Sequence, residues 1–498
     1  MTSLNDASPG GAPGVARPVG FLTEAGYGLG LVPAGILLTG LGTATLQYYI
    51  NQVIGAPPIL TGLLILASLT IDAICDPLIG QWSDRFRSPL GRRHPFMYAG
   101  AVLMAVTFYF LWHAPANLSG QSLFIYMLVL LVAVRMSQSL HDISSNGLVP
   151  ELAPDYDKRT VLISFRWFFL VIGLATMSYL LLAVFLKTDA HNTVGLLNRA
   201  GYARFGAFAS LLLFLTAMTS ALSTQRRAKG FYSPPPRPFS LGDTARVMVQ
   251  TLTNPALLVL LMCGLFGGIG AGMRGGLDQY FYTHLWGLKP QQIGIILPMG
   301  VLGSVVAVIV APIMSRLLGK KMTMIVFFVF STIVSLLPMT LKVAGLMPAN
   351  SSGWVFAILI ADAVVVAILA VAGLVIVSSM VADVVEDNAV KTGERSEGLL
   401  FAANGLLPKF SAGIGAVMAG VLLSVVHFPA HALQGTVPPA LMRELTLIFL
   451  PIYAIIVSIS IFVLLFYRID RGVHERNLER LSEAAALAAT AEQTAAML

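Results

Sequence analysis

Long apolar runs alternate with short polar loops along almost the whole chain. The runs fall near 27–50, 57–82, 95–113, 121–149, 160–186, 204–223, 255–283, 291–315, 322–345, 353–382, 398–426 and 444–468. Each is close to the roughly 20 apolar residues that a helix needs to cross a hydrocarbon core. Only helices and closed barrels satisfy their backbone inside a bilayer, so the pattern predicts twelve membrane-spanning helices. An even number of spans puts both chain ends on the same side.

The polar loops indicate which side that is. Loops at 83–94, 150–159, 224–254, 316–321 and 383–397 hold Arg85, Arg87, Arg92, Arg93, Lys158, Arg159, Arg226, Arg227, Arg316, Lys320, Lys321 and other basic residues. The opposite loops hold Lys187, Arg199, Lys289 and little else. The positive-inside rule then predicts a plasma (inner) membrane protein with both termini in the cytoplasm. The longest internal loop contains Ser233-Pro234-Pro235-Pro236-Arg237-Pro238, a stiff polyproline-like linker. The expected organisation is a tail over 1–26, a six-helix bundle over 27–223, a cytoplasmic loop over 224–254, a second six-helix bundle over 255–468 and a tail over 469–498. A faint internal echo fits this division. Pro77 to Arg85 leads to Gly91-Arg92-Arg93 after span two, and Pro312 to Arg316 leads to Gly319-Lys320-Lys321 after span eight. Equivalent loops in two halves are the mark of a repeat-built transporter.

Composition narrows the class further. The chain has 498 residues, 56% hydrophobic and only 11% charged, with a mean hydropathy of +0.79. A soluble chain carries about 25% charged residues, so a soluble enzyme, a disordered protein and a nucleic-acid binder are excluded. No metal-ligand cluster, nucleophile–base pair or phosphate loop stands out, so neither catalysis nor a cofactor is expected. The only cysteines, Cys75 and Cys263, lie in apolar runs and give no disulfide framework. The first 20 residues lack an apolar h-region, so no cleavable signal peptide is expected.

The few charges inside the spans carry the chemistry. A charge at the bilayer centre costs about 2.5–3.5 kcal/mol on insertion scales, so each one needs a reason. Span two holds Asp72 and Asp76, whose i,i+4 spacing stacks two carboxylates on one helix face. Such a pair needs a cation between its members or a proton on one of them. Span four holds Arg135, Ser139, His141 and Asp142, with Ser139 and Asp142 on a shared face. Span five holds Arg166, span seven holds Arg274 and Asp278 at i,i+4, span ten holds Asp362 with no evident partner, and span eleven holds Lys409. A lone intramembrane lysine needs a carboxylate; Asp142 is the first candidate, with Asp72 and Asp76 behind it.

These residues also fall into a known arrangement. Asp72-Ala-Ile-Cys-Asp76-Pro-Leu-Ile-Gly80, Asp84 and Arg87-Ser-Pro-Leu-Gly91-Arg92-Arg93, Asp142 to Pro150 in span four, Arg166, and Asp383, Lys391 to Gly398 and Lys409 in the second half resemble the glycoside–pentoside–hexuronide:cation symporters. These form the melibiose-permease branch of the major facilitator superfamily. The resemblance runs from about Tyr27 to Arg476. It implies cation-coupled symport of a small solute, a sugar or glycoside by family default, through alternating access in a monomer. It implies a cation site of Asp72, Asp76, Asp142 and Ser139, with Lys409 coupling that site to the solute. It also implies that Arg166 and Lys409 reach the solute cavity and that Asp84, Arg87, Arg92 and Arg93 form a cytoplasmic gate; Asn146, Asp142 and the additional core cations Arg135 and Arg274 are further expected solute contacts. The chain departs from the pattern in places. It has no acidic residue from 25 to 71, Asn146 stands where the family has a sugar-stacking Trp, and Leu374 replaces another Trp. Cys75 stands where the permease offers an amide oxygen, so the cation site is short of oxygen ligands and favours H⁺ over Na⁺. The alternative is a carrier or flippase of an amphiphilic, lipid-like anion, with Arg135 or Arg274 facing its headgroup.

Overall fold

The computed structural model describes residues 20–153, 156–190, 192–228, 254–392, 397–469 and the isolated positions 472, 473, 476 and 479. Side chains at 84–85, 150–151, 156–157, 226–228, 388–389, 391–392 and 397–406 fall outside that description. The two tails, most of the 224–254 linker and the Lys391–Gly398 motif therefore lie largely or wholly outside the described residues.

The described chain is helical throughout. Span one is Phe21–Gly40 and continues as Thr43–Tyr48. Spans two to four are Pro58–Arg85, His94–Trp112 and Gly120–Asn146. Span five is Tyr156–Tyr179 and span six Arg199–Ala228. Span seven is Pro255–Tyr280. Spans eight and nine share one unbroken run, Pro290–Val343, folded at Gly319. Spans ten to twelve are Gly353–Thr392, Glu397–Val425 and Pro439–Leu464. Gly319 has φ 75° and ψ 160°, a backbone state that a residue with a Cβ adopts only with strain, and it turns span eight back into span nine without a loop.

Two elements differ from the pattern read in the sequence. Span one is broken at Leu41-Gly42, where Gly42 takes ψ 144° and interrupts the helical ladder between two glycines. Span ten does not stop at 382. It continues to Thr392 because the stretch after Asp383 is polar but holds neither Gly nor Pro before Gly393. Polarity ends a hydrophobic run, whereas a helix needs a breaker.

Spans one to six pack among themselves and spans seven to twelve among themselves, forming two six-helix bundles. The bundles meet chiefly where span two faces span eleven, span one faces span seven, and span five faces span eight. The face opposite the basic loops is zipped shut. Gln52 donates to Pro429 O and accepts from Ala432 N, and the Tyr280 hydroxyl donates to Asn51 Oδ1 at 2.7 Å. Close helix approach makes this possible. A Cβ at Gly62 would lie 2.6 Å from Val417 Cα, and one at Gly420 would lie 2.3 Å from Pro58 O. Small residues supply such approach where no hydrophobic force exists between helices in lipid.

Gly420→Val should therefore pry this face open. A reporter Gln52→Cys, in a background with Cys75 and Cys263 replaced by Ser, should react several-fold faster with a membrane-impermeant maleimide when Gly420→Val is added. Equal rates would show that the helix contact does not hold the face closed.

Candidate ion-coupling site

Span two carries Asp72 and Asp76 on the face it turns toward spans four and eleven. Span eleven brings Lys409 into the same plane. Lys409 Nζ lies 2.7 Å from Asp72 Oδ2 and 2.5 Å from Asp76 Oδ2. On the other side the Ser139 hydroxyl faces Asp76 Oδ1 at 2.5 Å and Asp72 Oδ1 at 3.2 Å. Each carboxylate thus gives one oxygen to the ammonium and one to the hydroxyl, which closes a ring of four groups from three helices. Charge-assisted bonds of this kind are roughly twice as strong as neutral ones.

Access to the ring is graded. The Asp72 side chain is 6% exposed, while Asp76, one turn nearer the basic loops, is 31% exposed, as is Lys409 at 30%. The site is sealed above and reached from the basic side. The ammonium sits between the two carboxylates and offsets their charge.

Asp142 does not join the ring. Its carboxylate accepts from Gln138 Nε2 at 3.3 Å and faces His141 Nδ1 at 3.2 Å. The expectation that Lys409 would pair first with Asp142 is corrected. Three residues of helix put Asp142 about 4.5 Å below Ser139, and its own helix neighbours satisfy it there. Arg135, one turn above Ser139, lies within electrostatic reach of Asp72, and its buried Nε has no hydrogen-bond partner.

Arg166 lies apart from the ring. It is buried, donates to Ser145 Oγ at 2.5 Å and stacks 4.9 Å over the Tyr27 ring. Tyr27 in turn donates its hydroxyl to Ser145 O at 2.8 Å. Arg166 thus clasps spans one, four and five from inside. Asn146 is exposed at the end of span four. Arg87 is exposed, and the Arg93 guanidinium packs against Gly147 at the end of span four. The Asp84 side chain lies outside the described residues.

Arg274 is not a free cation. It faces Asp278 at 3.5 Å and Asp362 at 3.3 Å, so Asp362 has the partner that its own span did not reveal. Two carboxylates offset one guanidinium, which removes Arg274 as the receptor of an anionic headgroup. The second half also holds a pair that the sequence reading passed over, Lys320 with Asp383 at 2.6 Å. The repeat offered a signal for it, because Gly319-Lys320-Lys321 mirrors Gly91-Arg92-Arg93 and invites a search for a carboxylate on a facing span.

The ring can be tested by its stability. Lys409→Ala leaves two carboxylates facing each other. Breaking a fully buried ion pair costs about 3–5 kcal/mol; with Lys409 and Asp76 each about 30% exposed, about 2–3 kcal/mol is expected. Adding Asp76→Asn should restore part of that loss in unfolding of the detergent-purified protein. A double variant less stable than Lys409→Ala by the full cost of Asp76→Asn would show that the two residues are not coupled.

Comparison with known proteins agrees with the fold. Residues 26–471 match the family described as MFS/sugar transport protein. An uncharacterized symporter of Synechocystis is 24% identical, over 92% of this chain and 96% of its own length. A putative glycoside/cation symporter of Escherichia coli is 24% identical, over 82% of this chain and 83% of its own. Among solved structures, a bacterial homologue of the human lysosomal transporter Spinster shares the fold with a TM-score of 0.62 at 14% identity, over 90% of this chain and 98% of its own. With its twelve spans in two bundles and a family match along nearly its whole length, this chain is a multi-pass membrane transporter that belongs to the MFS/sugar transport protein family.

Proposed function

We propose that the chain is a monomeric symporter of the plasma (inner) membrane with cytoplasmic termini. It couples inward flow of a cation, H⁺ in preference to Na⁺, to uptake of a sugar or glycoside by alternating access. One observation carries this reading: the Lys409 ammonium sits between Asp72 and Asp76, where an entering cation must displace it. The glycoside/cation symporter among its relatives supports the solute class.

The geometry suggests how coupling works. A proton on Asp76, the more exposed carboxyl, removes its attraction for Lys409 and leaves the ammonium held by Asp72 alone. Lys409 is then free to turn toward solute in the cavity. When the proton leaves toward the cytoplasm, both carboxylates recapture Lys409 and the ring of this structure re-forms. Lys409 is thus the built-in counter-ion that lets the empty carrier return. Solute and proton each favour release of the same ammonium, so each tightens the other's binding to an equal degree. Ser139 steadies the two carboxylates through the exchange. Arg166 holds span five against spans one and four. Asp142 and Asn146 line the route to the cytoplasm, with Asp84, Arg87, Arg92 and Arg93 as its gate. A proton suits the ring because Na⁺, as a hard cation, wants several oxygen ligands, and Cys75 offers none.

Uptake of radiolabelled lactose or raffinose into proteoliposomes tests this. An acidic exterior at zero Na⁺ should drive accumulation, and an Na⁺ gradient at equal pH should not. Uptake that follows Na⁺ and ignores pH would overturn the proton assignment. Asp76→Asn and Lys409→Ala should each reduce the accumulation ratio to one in protein that still purifies as a folded monomer. Accumulation by either variant would remove the ring from the coupling mechanism.

A further inference from the structure

A second buried ionic group lies in the C-terminal bundle, on helices that contribute nothing to the ring. Arg274 and Asp278 share one face of span seven. Arg274 Nε faces Asp278 Oδ1 at 3.5 Å, and Arg274 Nη2 donates to Asp362 Oδ2 of span ten at 3.3 Å. Asp362 is only 7% exposed. Its Oδ1, like Arg274 Nη1, is buried without a hydrogen-bond partner. A buried donor and acceptor left unpaired are costly to keep without a partner to complete them. Arg274 and Asp278 keep 16% and 28% of their side-chain exposure, so the group can be reached.

Span seven packs toward spans eleven and one through a glycine stripe on the side roughly opposite Arg274 and Asp278. Gly268 packs on Ser411 and Gly272 on the Ala412 backbone of span eleven, and Gly276 approaches Thr43 of span one. Lys409 lies just below Ser411 on span eleven. With a rise of 1.5 Å per residue, Arg274 stands roughly 10 Å further from the basic loops than Lys409.

We propose that Arg274 and Asp278 form a recognition site for adjacent hydroxyls of an uncharged sugar, with Asp362 as the positioning residue behind Arg274. The inference rests on the sugar-uptake reading and deepens it by naming the subsite and the charge class of the solute. A hydroxyl both donates and accepts, and a guanidinium beside a carboxylate offers the complement of each. One guanidinium against two carboxylates leaves the group with a net charge of −1, which repels uronates and sugar phosphates. A site built to bond a hydroxyl rejects an analogue that lacks it far better than an apolar pocket can.

The test measures binding of lactose, raffinose and glucuronate to the purified full-length protein by calorimetry. At least one neutral sugar should bind the wild type, and glucuronate should bind at least tenfold more weakly. Asp278→Asn and Arg274→Lys should weaken the neutral sugar tenfold or more while keeping proton-dependent thermal stabilisation unchanged, which also reports that they are folded. Deoxy analogues supply a readout that mutation cannot confound. The wild type should lose affinity for the analogue missing the recognised hydroxyl, and Asp278→Asn should show no further loss for it. Asp362→Asn should raise KM for uptake and leave the maximal rate and the accumulation ratio unchanged. Wild-type affinity in Asp278→Asn and Arg274→Lys would overturn the subsite and leave the sugar reading standing. Tighter binding of glucuronate, or an altered pH dependence with unaltered sugar affinity, would also overturn it. If none of the neutral sugars binds the wild type, the sugar reading fails and the subsite with it.

Discussion

Two carboxylates one helical turn apart cannot both stay ionised in an apolar interior unless something positive stands between them. In this protein that something is the Lys409 ammonium, carried by a helix of the other bundle. The electrostatic demand of span two therefore fixes which helix it must meet and at what depth. Packing allows the same meeting, because Gly62 on span two and Gly420 on span eleven let the two backbones come close enough for Lys409 to reach.

The interaction joins the two bundles and is only partly buried. Asp72 is sealed, but Asp76 and Lys409 keep about a third of their surface. Partial exposure lowers the cost of separating the charges. A fully buried pair would hold one conformation, and a fully exposed one would be worth little. The zipped contacts of Gln52, Asn51 and Tyr280 close the far face, so the exposed side of the ring is the side of the basic loops.

The other intramembrane charges divide by what they touch. Arg166 is held within its own bundle by Ser145 and Tyr27, with one guanidinium nitrogen left unpaired, which makes it a clasp. Arg274 is shared by two carboxylates of its own bundle, with one polar atom left over on each side of its pair with Asp362. Lys409 alone among these three reaches across to the other half. Similar residues in similar apolar runs thus acquire different tasks from the helix that happens to face them.

The sequence by itself determined the twelve spans, the one-sided distribution of basic loops, the stacked carboxylates of span two and the need of Lys409 for an acid. Each of these rests on local physics: the apolar length of a run, the charge of a loop, or the 3.6-residue repeat that brings i and i+4 together. Only the tertiary structure decided that Lys409 meets Asp72 and Asp76 while Asp142 stays with Gln138 and His141, that Asp362 holds Arg274, and that Arg166 is turned inward. Those pairings depend on the rotation and depth of one helix relative to another. An offset of a single turn, about 5.4 Å, changes the partner without changing any local pattern. The break in span one and the extension of span ten escaped for a related reason. Hydrophobicity records where lipid ends, while the backbone ladder stops only where a residue interrupts it.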